Sequence, residues 1–175
     1  MLFPFKLWVF LSSLLNSFQS TLFMDNNDVF RRLRYILAYN DAKMAEVFAL
    51  AEETVKEGPI IGWLKRDDDK SMVKMPDVML ATFLNGLINQ KRGKKDGPQP
   101  EPEQELTNNI IFRKLRIAYD LKTDDVIALF KLVGKEISPH ELSAFFRKPT
   151  SNKYRECNDQ YLRYFLNGLE AKYRV

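Results

Sequence analysis

From residue 26 onward the apolar positions fall at helical spacing, and no segment alternates convincingly enough to be a strand. In the first predicted helix Phe30, Leu33 and Leu37 recur at i, i+3 and i+7, with Val29 and Ile36 widening the stripe. Asn27 is a plausible cap for it. The same places further on hold Phe112, Leu115 and Tyr119. A second helix reads most clearly over Thr123 to Val133, with Thr123 as cap, Asp124 and Asp125 at its positive end and Gly134 as its stop. Ser138-Pro139-His140-Glu141 has the form of a capping box with proline at the first helical position, so it opens a third. Gly58-Pro59 plays that part earlier in the chain, shifted by two residues. A fourth helix begins near Asp77, and again near Asp159, and carries the run FLNGL.

The recurrence is a repeat. An offset of 82 residues aligns 26–93 with 108–175 without a gap, and sixteen of the 68 pairs are identical. Asn26/Asn108, Asn27/Asn109, Phe30/Phe112, Arg31/Arg113, Arg34/Arg116, Phe48/Phe130 and Asp77/Asp159 are among them. The predicted architecture is all-α: two tandem four-helix repeats packed together and joined by a polar linker. Glycine inside a helix costs about 1 kcal/mol relative to alanine. Gly86 and Gly168, at matched places in FLNGL, therefore point to a neighbouring helix backbone that comes close.

The remaining segments divide the chain. Gly93 to Thr107, GKKDGPQPEPEQELT, is rich in Pro, Gly and charge, which makes residues 94–107 a linker between repeat 1 (24–93) and repeat 2 (108–175). Residues 1–23 are apolar, aromatic-rich and nearly uncharged. Leu7 to Leu15 has the length of a signal-peptide core, but the flanks are poor and polar residues interrupt any span of roughly 20 apolar residues. They read as a non-native extension ahead of Met24, with a targeting or anchoring segment as the alternative and an extra helix as a third reading.

Composition changes the picture little. Apolar residues at 45% and charged residues at 29% are ordinary for a globular protein. A single cysteine excludes an internal disulfide and fits a reducing, cytoplasmic setting. Net charge is +4, but unevenly placed: residues 24–107 carry 13 basic and 15 acidic side chains, and residues 108–175 carry 13 and 8.

Catalytic and metal chemistry find little support. One His and one Cys nearly exclude a zinc site. Asp67-Asp68-Asp69 reads as a solvated loop, with magnesium binding the lesser alternative, because its counterpart Pro149-Thr150-Ser151 has no carboxylate. Cys157 aligns with Met75 and reads as an apolar position. His140, at the second position of a helix, is expected to be exposed. Neither an enzyme nor a cofactor is expected.

The duplicated polar residues read mainly as structural: Asp77 and Asp159 as helix caps, Asn85 and Asn167 as bonds to a neighbouring backbone, and Arg34 and Arg116 as partners of the aspartates. The functional lead lies in duplicated cations. Arg31, Arg32 and Arg34 are echoed by Arg113, Lys114 and Arg116, and Lys65-Arg66 by Arg147-Lys148, beside Trp63, Phe145 and Phe146. Lys91, Arg92, Lys94 and Lys95 lead into the linker. Such patches can follow a phosphate backbone, although helices also place cations on their wet faces and C-terminal ends for stability alone.

The stretches FRRLRYIL (30–37), MPDVMLATFLNGLINQKRG (75–93), NNIIFRKLRIAYDLKTDDV (108–126) and RECNDQYLRYFLNGLEAKY (155–173) resemble the YehS-like bacterial proteins. These carry a domain of unknown function in two tandem copies. The resemblance covers nearly everything from Met24, where members of the family begin, and implies no catalytic or binding residues. The expected function is that of a cytoplasmic, non-enzymatic binding or adaptor protein reaching another protein through a groove between the copies. The alternative is nucleic-acid binding through the basic helices, with RNA or a ribosome-associated role ahead of DNA. No membrane partner is expected unless residues 1–23 are native.

Overall fold

Eight helices form along residues 24–174, the part of the chain that the computed structural model describes; the expectations for residues 1–23 lie outside it. In repeat 1 they are α1 (Asn26–Leu37), α2 (Asp41–Leu50), α3 (Glu57–Leu64) and α4 (Asp77–Arg92). Repeat 2 follows with α5 (Asn108–Ala118), α6 (Thr123–Leu132), α7 (Pro139–Phe145) and α8 (Asp159–Tyr173). No strand occurs among the described residues.

Local signals set most of the boundaries. Asp25 caps α1 by accepting from the Asp28 amide at 2.9 Å, and the Asp28 carboxylate reaches back to the Asp25 amide at 3.4 Å. Ser138 and Glu141 form the expected reciprocal box around Pro139 at the start of α7. Thr123 is the first residue of α6 rather than its cap. There the Asp125 carboxylate accepts from the Lys122 amide at 2.8 Å, so a residue inside the first turn does the capping. After α6 the chain turns through Gly134 with φ of +66°, and repeat 1 makes the same turn through Glu52 at +64°. Only glycine adopts that region freely, so repeat 1 carries a side chain where repeat 2 has the easier residue.

Asn27 is not a cap. It is the second residue of α1 and fully buried, because its amide ties the end of the repeat to its beginning. Its Nδ2 donates to the carbonyls of Trp63 and Val73, both at 2.8 Å, and its Oδ1 accepts from the Met75 amide at 2.9 Å. Asn109 repeats the arrangement with Phe145 at 2.9 Å, Arg155 at 2.8 Å and the Cys157 amide at 2.9 Å. Buried backbone groups in the loop before α4, and again before α8, are thereby satisfied by one side chain each.

A quartet of aromatics fills each repeat: Phe30, Phe48, Trp63 and Phe83, then Phe112, Phe130, Phe145 and Phe165. The pair at the centre is edge-on in repeat 1, with Phe30 and Phe83 centroids 5.0 Å apart, and stacked in repeat 2, with Phe112 and Phe165 at 4.0 Å. Both quartets belong to one continuous core. A unit of about 70 residues is marginal alone, and the repeats pack on each other through their first and fourth helices.

The packing between repeats is reciprocal. Helix α1 lies against α8, and α5 against α4, as a two-fold axis would require. Asp77 at the head of α4 accepts from Asn26 at 2.6 Å and from the Leu106 amide at 2.8 Å. Asp159 does the same with Asn108 at 2.7 Å and the Met24 amide at 3.0 Å. Each aspartate therefore links its own repeat to the segment entering the other.

Candidate functional site

The ten cations singled out by the repeat fall into three groups. Two of them, Arg32 and Lys114, serve the junction between repeats. Lys114 is buried; its Nζ lies 2.5 Å from Asn85 Oδ1 and 2.9 Å from Glu103 of the linker. Asn85 also donates to the Pro100 carbonyl at 3.2 Å, so the linker is strapped across α4 and α5. At the matching place Arg32 donates to Asn167 Oδ1 at 2.5 Å. Burial, and then the charge of Arg163, lower the Arg32 pKa from its ordinary value.

Repeat 1 neutralises its remaining cations itself. Arg31 lies 2.6 Å from Asp28 and 3.1 Å from Asp67, and donates to the Lys65 carbonyl at 2.6 Å. Burial works against its charge, but the hydrogen bond and charge of Asp28, with help from Asp67, raise its pKa overall. Arg34 pairs with Asp41 at 2.9 Å, not with Asp77 as the sequence led us to expect, since Asp41 opens the neighbouring α2. Just past the end of α3, Lys65 meets Asp69 at 3.7 Å and Arg66 meets Asp68 at 3.3 Å. The Asp67–Asp69 run thus answers three of the four cations.

Repeat 2 keeps the cations and loses the carboxylates. Asp28, Asp41, Asp67, Asp68 and Asp69 align with Ile110, Thr123, Pro149, Thr150 and Ser151. Among the described residues Arg113, Arg116, Arg147 and Lys148 have no carboxylate within salt-bridge distance, in contrast to every counterpart in repeat 1. Arg116 does not reach Asp159. Its Nε donates to the Leu121 carbonyl at 3.0 Å and its guanidinium stands 4.8 Å over the Phe146 ring. Arg113 reaches the Phe146 carbonyl at 3.5 Å, and Arg147 and Lys148 follow Phe146 on an exposed turn. Two of the unpaired cations, Arg113 and Arg116, therefore meet at Phe146, and the other two follow it in the chain.

Cys157 and His140 differ in their surroundings. Cys157 is buried, which pushes its thiol up to about 12, with the charge of Asp159 adding to the effect; His140 is exposed. Among the described residues no three His, Cys, Asp or Glu side chains are placed to hold a metal ion. Between the repeats lies a depression of about 420 Å³ whose walls include Asn26, Asp77, Leu106, Asn108 and Asp159. Those polar groups are already engaged: Asn26 donates to Asp77 and Asn108 to Asp159 within each repeat, and the aspartates also accept from the Leu106 and Met24 amides.

Sequence reasoning grouped all ten cations together, because charge and periodicity do not report partners. Subtracting one aligned repeat from the other is the signal that separates them. It shows five carboxylates missing from repeat 2 with no loss of positive charge. Glu103 as the partner of Lys114 had no such signal, since the linker has no counterpart in the repeat.

Two copies of one helical unit, locked by reciprocal contacts, define a tandem helical-repeat protein. The chain belongs to the family described as Protein of unknown function (DUF1456), whose model matches residues 26–93 and again 108–174. It is 42% identical over 153 residues to the Uncharacterized protein YehS of Escherichia coli (strain K12), an alignment covering 87% of this chain and 98% of that one. No solved structure matches. Among the described residues no helix is long and apolar enough to cross a membrane.

Proposed function

We propose that this is a cytoplasmic, non-enzymatic binding protein whose second repeat holds single-stranded RNA through its phosphates. One observation carries the reading: Arg31, Arg34, Lys65 and Arg66 of repeat 1 are matched by carboxylates, and among the described residues their equivalents Arg113, Arg116, Arg147 and Lys148 are not. Cations kept only for their own helices would serve equally well with partners. Cations left without them attract a polyanion and release its counterions on binding. The excess of 13 basic over 8 acidic residues in 108–175 points the same way.

The test is fluorescence anisotropy with a labelled, mixed-sequence RNA 20-mer from 50 to 200 mM salt. Four phosphate contacts on a single strand give a slope of log K against log salt of about −3. Arg113→Ala, Arg147→Ala and Lys148→Ala each weaken binding and flatten the slope, whereas Arg31→Ala, Lys65→Ala and Arg66→Ala leave it unchanged. No binding at 50 mM salt, or equal losses from both sets, would overturn the proposal.

The 420 Å³ depression between the repeats favours a second reading, in which a segment of another protein docks at the junction. Binding of a purified partner that survives nuclease and moderate salt, and is lost on Asn108→Arg, would favour it over RNA.

A further inference from the structure

We infer that the hollow between the end of α4, α5 and the turn after α7 is a pocket for the terminal phosphate of a nucleotide. It holds about 350 Å³, within the usual size of small-ligand sites, and Arg92, Arg113, Arg116, Ile117, Asp120 and Phe146 form its walls. The inference rests on the anion-binding reading of repeat 2 and narrows it to one place and one chemical group.

Charge selects the ligand. Three guanidiniums and one carboxylate leave the pocket two positive charges in excess. A phosphomonoester carries about −1.5 to −2 at neutral pH, which matches that excess, whereas a carboxylate or an internal phosphodiester carries only one charge. Geometry sets two of the guanidiniums in advance. Arg116 is held over Phe146, 4.8 Å from the ring centroid, by its bond to the Leu121 carbonyl, and Arg92 is fixed by Asp120 at 2.5 Å. Among the described residues Arg113 is tethered by its 3.5 Å contact with the Phe146 carbonyl alone, which leaves its other N–H groups to donate. Ile117 is 47% exposed beside them and offers an apolar wall to a sugar or base.

The matching place in repeat 1 shows the same framework closed upon itself. Arg174, the counterpart of Arg92, lies 3.3 Å over the ring of Tyr35, which stands where repeat 2 has Ile117, and donates to the Tyr35 carbonyl. Arg31 and Arg34, the counterparts of Arg113 and Arg116, are taken by Asp28, Asp67 and Asp41. One scaffold thus carries a self-satisfied site and an open one, and only the open one has charge to spare.

The phosphate could belong to a free mononucleotide or to the 5′ end of an RNA, and the experiment separates them. Titration calorimetry on the full chain uses adenosine monophosphate, adenosine, and an RNA 10-mer with and without a 5′-phosphate. Binding is expected for the monophosphate and not for adenosine, with the 5′-phosphorylated RNA at least tenfold tighter than its 5′-hydroxyl form. Arg113→Ala weakens the phosphate-dependent part about tenfold. Ile117→Asp, at an exposed position, abolishes it and guards against a variant that merely misfolds. Arg31→Ala has no effect. Equal binding of both RNA forms together with no uptake of the monophosphate overturns the pocket while leaving RNA binding standing. Uptake of the monophosphate without RNA binding keeps the pocket and removes RNA as its source. Failure of every ligand ends both proposals.

Discussion

Gly86 meets Val47 so closely that a Cβ on the glycine would stand 1.9 Å from the Val47 carbonyl oxygen. The equivalent pair in repeat 2, Gly168 and Leu129, is a little looser: the added carbon would lie 2.6 Å from the Leu129 carbonyl oxygen. A backbone carbonyl cannot turn aside as a side chain can. Helices α2 and α4, and likewise α6 and α8, are therefore held at a separation that only glycine permits.

It follows that Gly86→Ala destabilises the fold although alanine is the better helix former. The gain in helix propensity, about 1 kcal/mol, is outweighed by overpacking that costs about 3 kcal/mol or more against rigid backbone. Gly168→Ala has a smaller effect in the same direction. Urea unfolding followed by circular dichroism ranks the two, and a midpoint unchanged in Gly86→Ala would contradict the close approach.

This glycine was readable in the sequence because helix propensity made it anomalous twice, at the same place in each copy. The four-helix order, the Ser138 box and the start of α4 at Asp77 were readable for a related reason, since each depends on neighbours within a few residues. Asn27 was misread because both roles suit an asparagine near a helix start. What decides between them is the distant loop at Val73 and Met75, which periodicity does not locate. Arg34 was misassigned for the same reason, its true partner being the opening residue of the next helix. The basic face was visible as a list of residues but not as a face, because ion pairing is a tertiary property.

Asn27 offers a sharper test of the internal ties. Asn27→Asp keeps the size and the acceptor for the Met75 amide but turns two donated bonds into contacts between a carboxylate and the Trp63 and Val73 carbonyls. Each unsatisfied buried group costs about 1–3 kcal/mol, so a loss of about 3 kcal/mol or more is expected at neutral pH, and Asn109→Asp should match it. Thermal melts near pH 7 check this. A loss below about 1 kcal/mol in both variants would mean that the loops before α4 and α8 do not depend on these amides.

Cys157 gives a pH dependence with a defined sign. Burial raises its thiol from an ordinary value of 9.0 to about 12, so at high pH the unfolded chain releases a proton that the folded chain retains. Stability from this group is fully present below pH 9 and is lost as pH rises toward about 12. The slope is at most about 1.4 kcal/mol per pH unit. Comparing the wild type with Cys157→Ala removes the contribution of the tyrosines and lysines that titrate in the same range. Any advantage of the wild type at pH 7.5 should shrink by about 2 kcal/mol at pH 10.5. Parallel pH profiles, or rapid labelling of the native thiol at pH 8, would show that Cys157 is not sequestered.

The contrast between the repeats can be tested without removing a single cation. Thr123→Asp, Pro149→Asp and Ile110→Asp restore to repeat 2 the carboxylates that repeat 1 uses as Asp41, Asp67 and Asp28. Thr123 and Ile110 lie in the first turns of α6 and α5, where a negative charge is favoured by the helix dipole, so folding should not suffer from the added charge. Arg113 and Arg116 would then be paired as Arg31 and Arg34 are. The triple variant should lose at least tenfold in affinity for single-stranded RNA at 50 mM salt and show a flatter salt slope, with an unchanged urea midpoint. Exposed ion pairs contribute at most about 1 kcal/mol each to folding, so any change in stability stays small beside the change in binding. If the variant binds RNA as the wild type does, the unmatched arginines are not the contact, and the difference between the repeats has another origin.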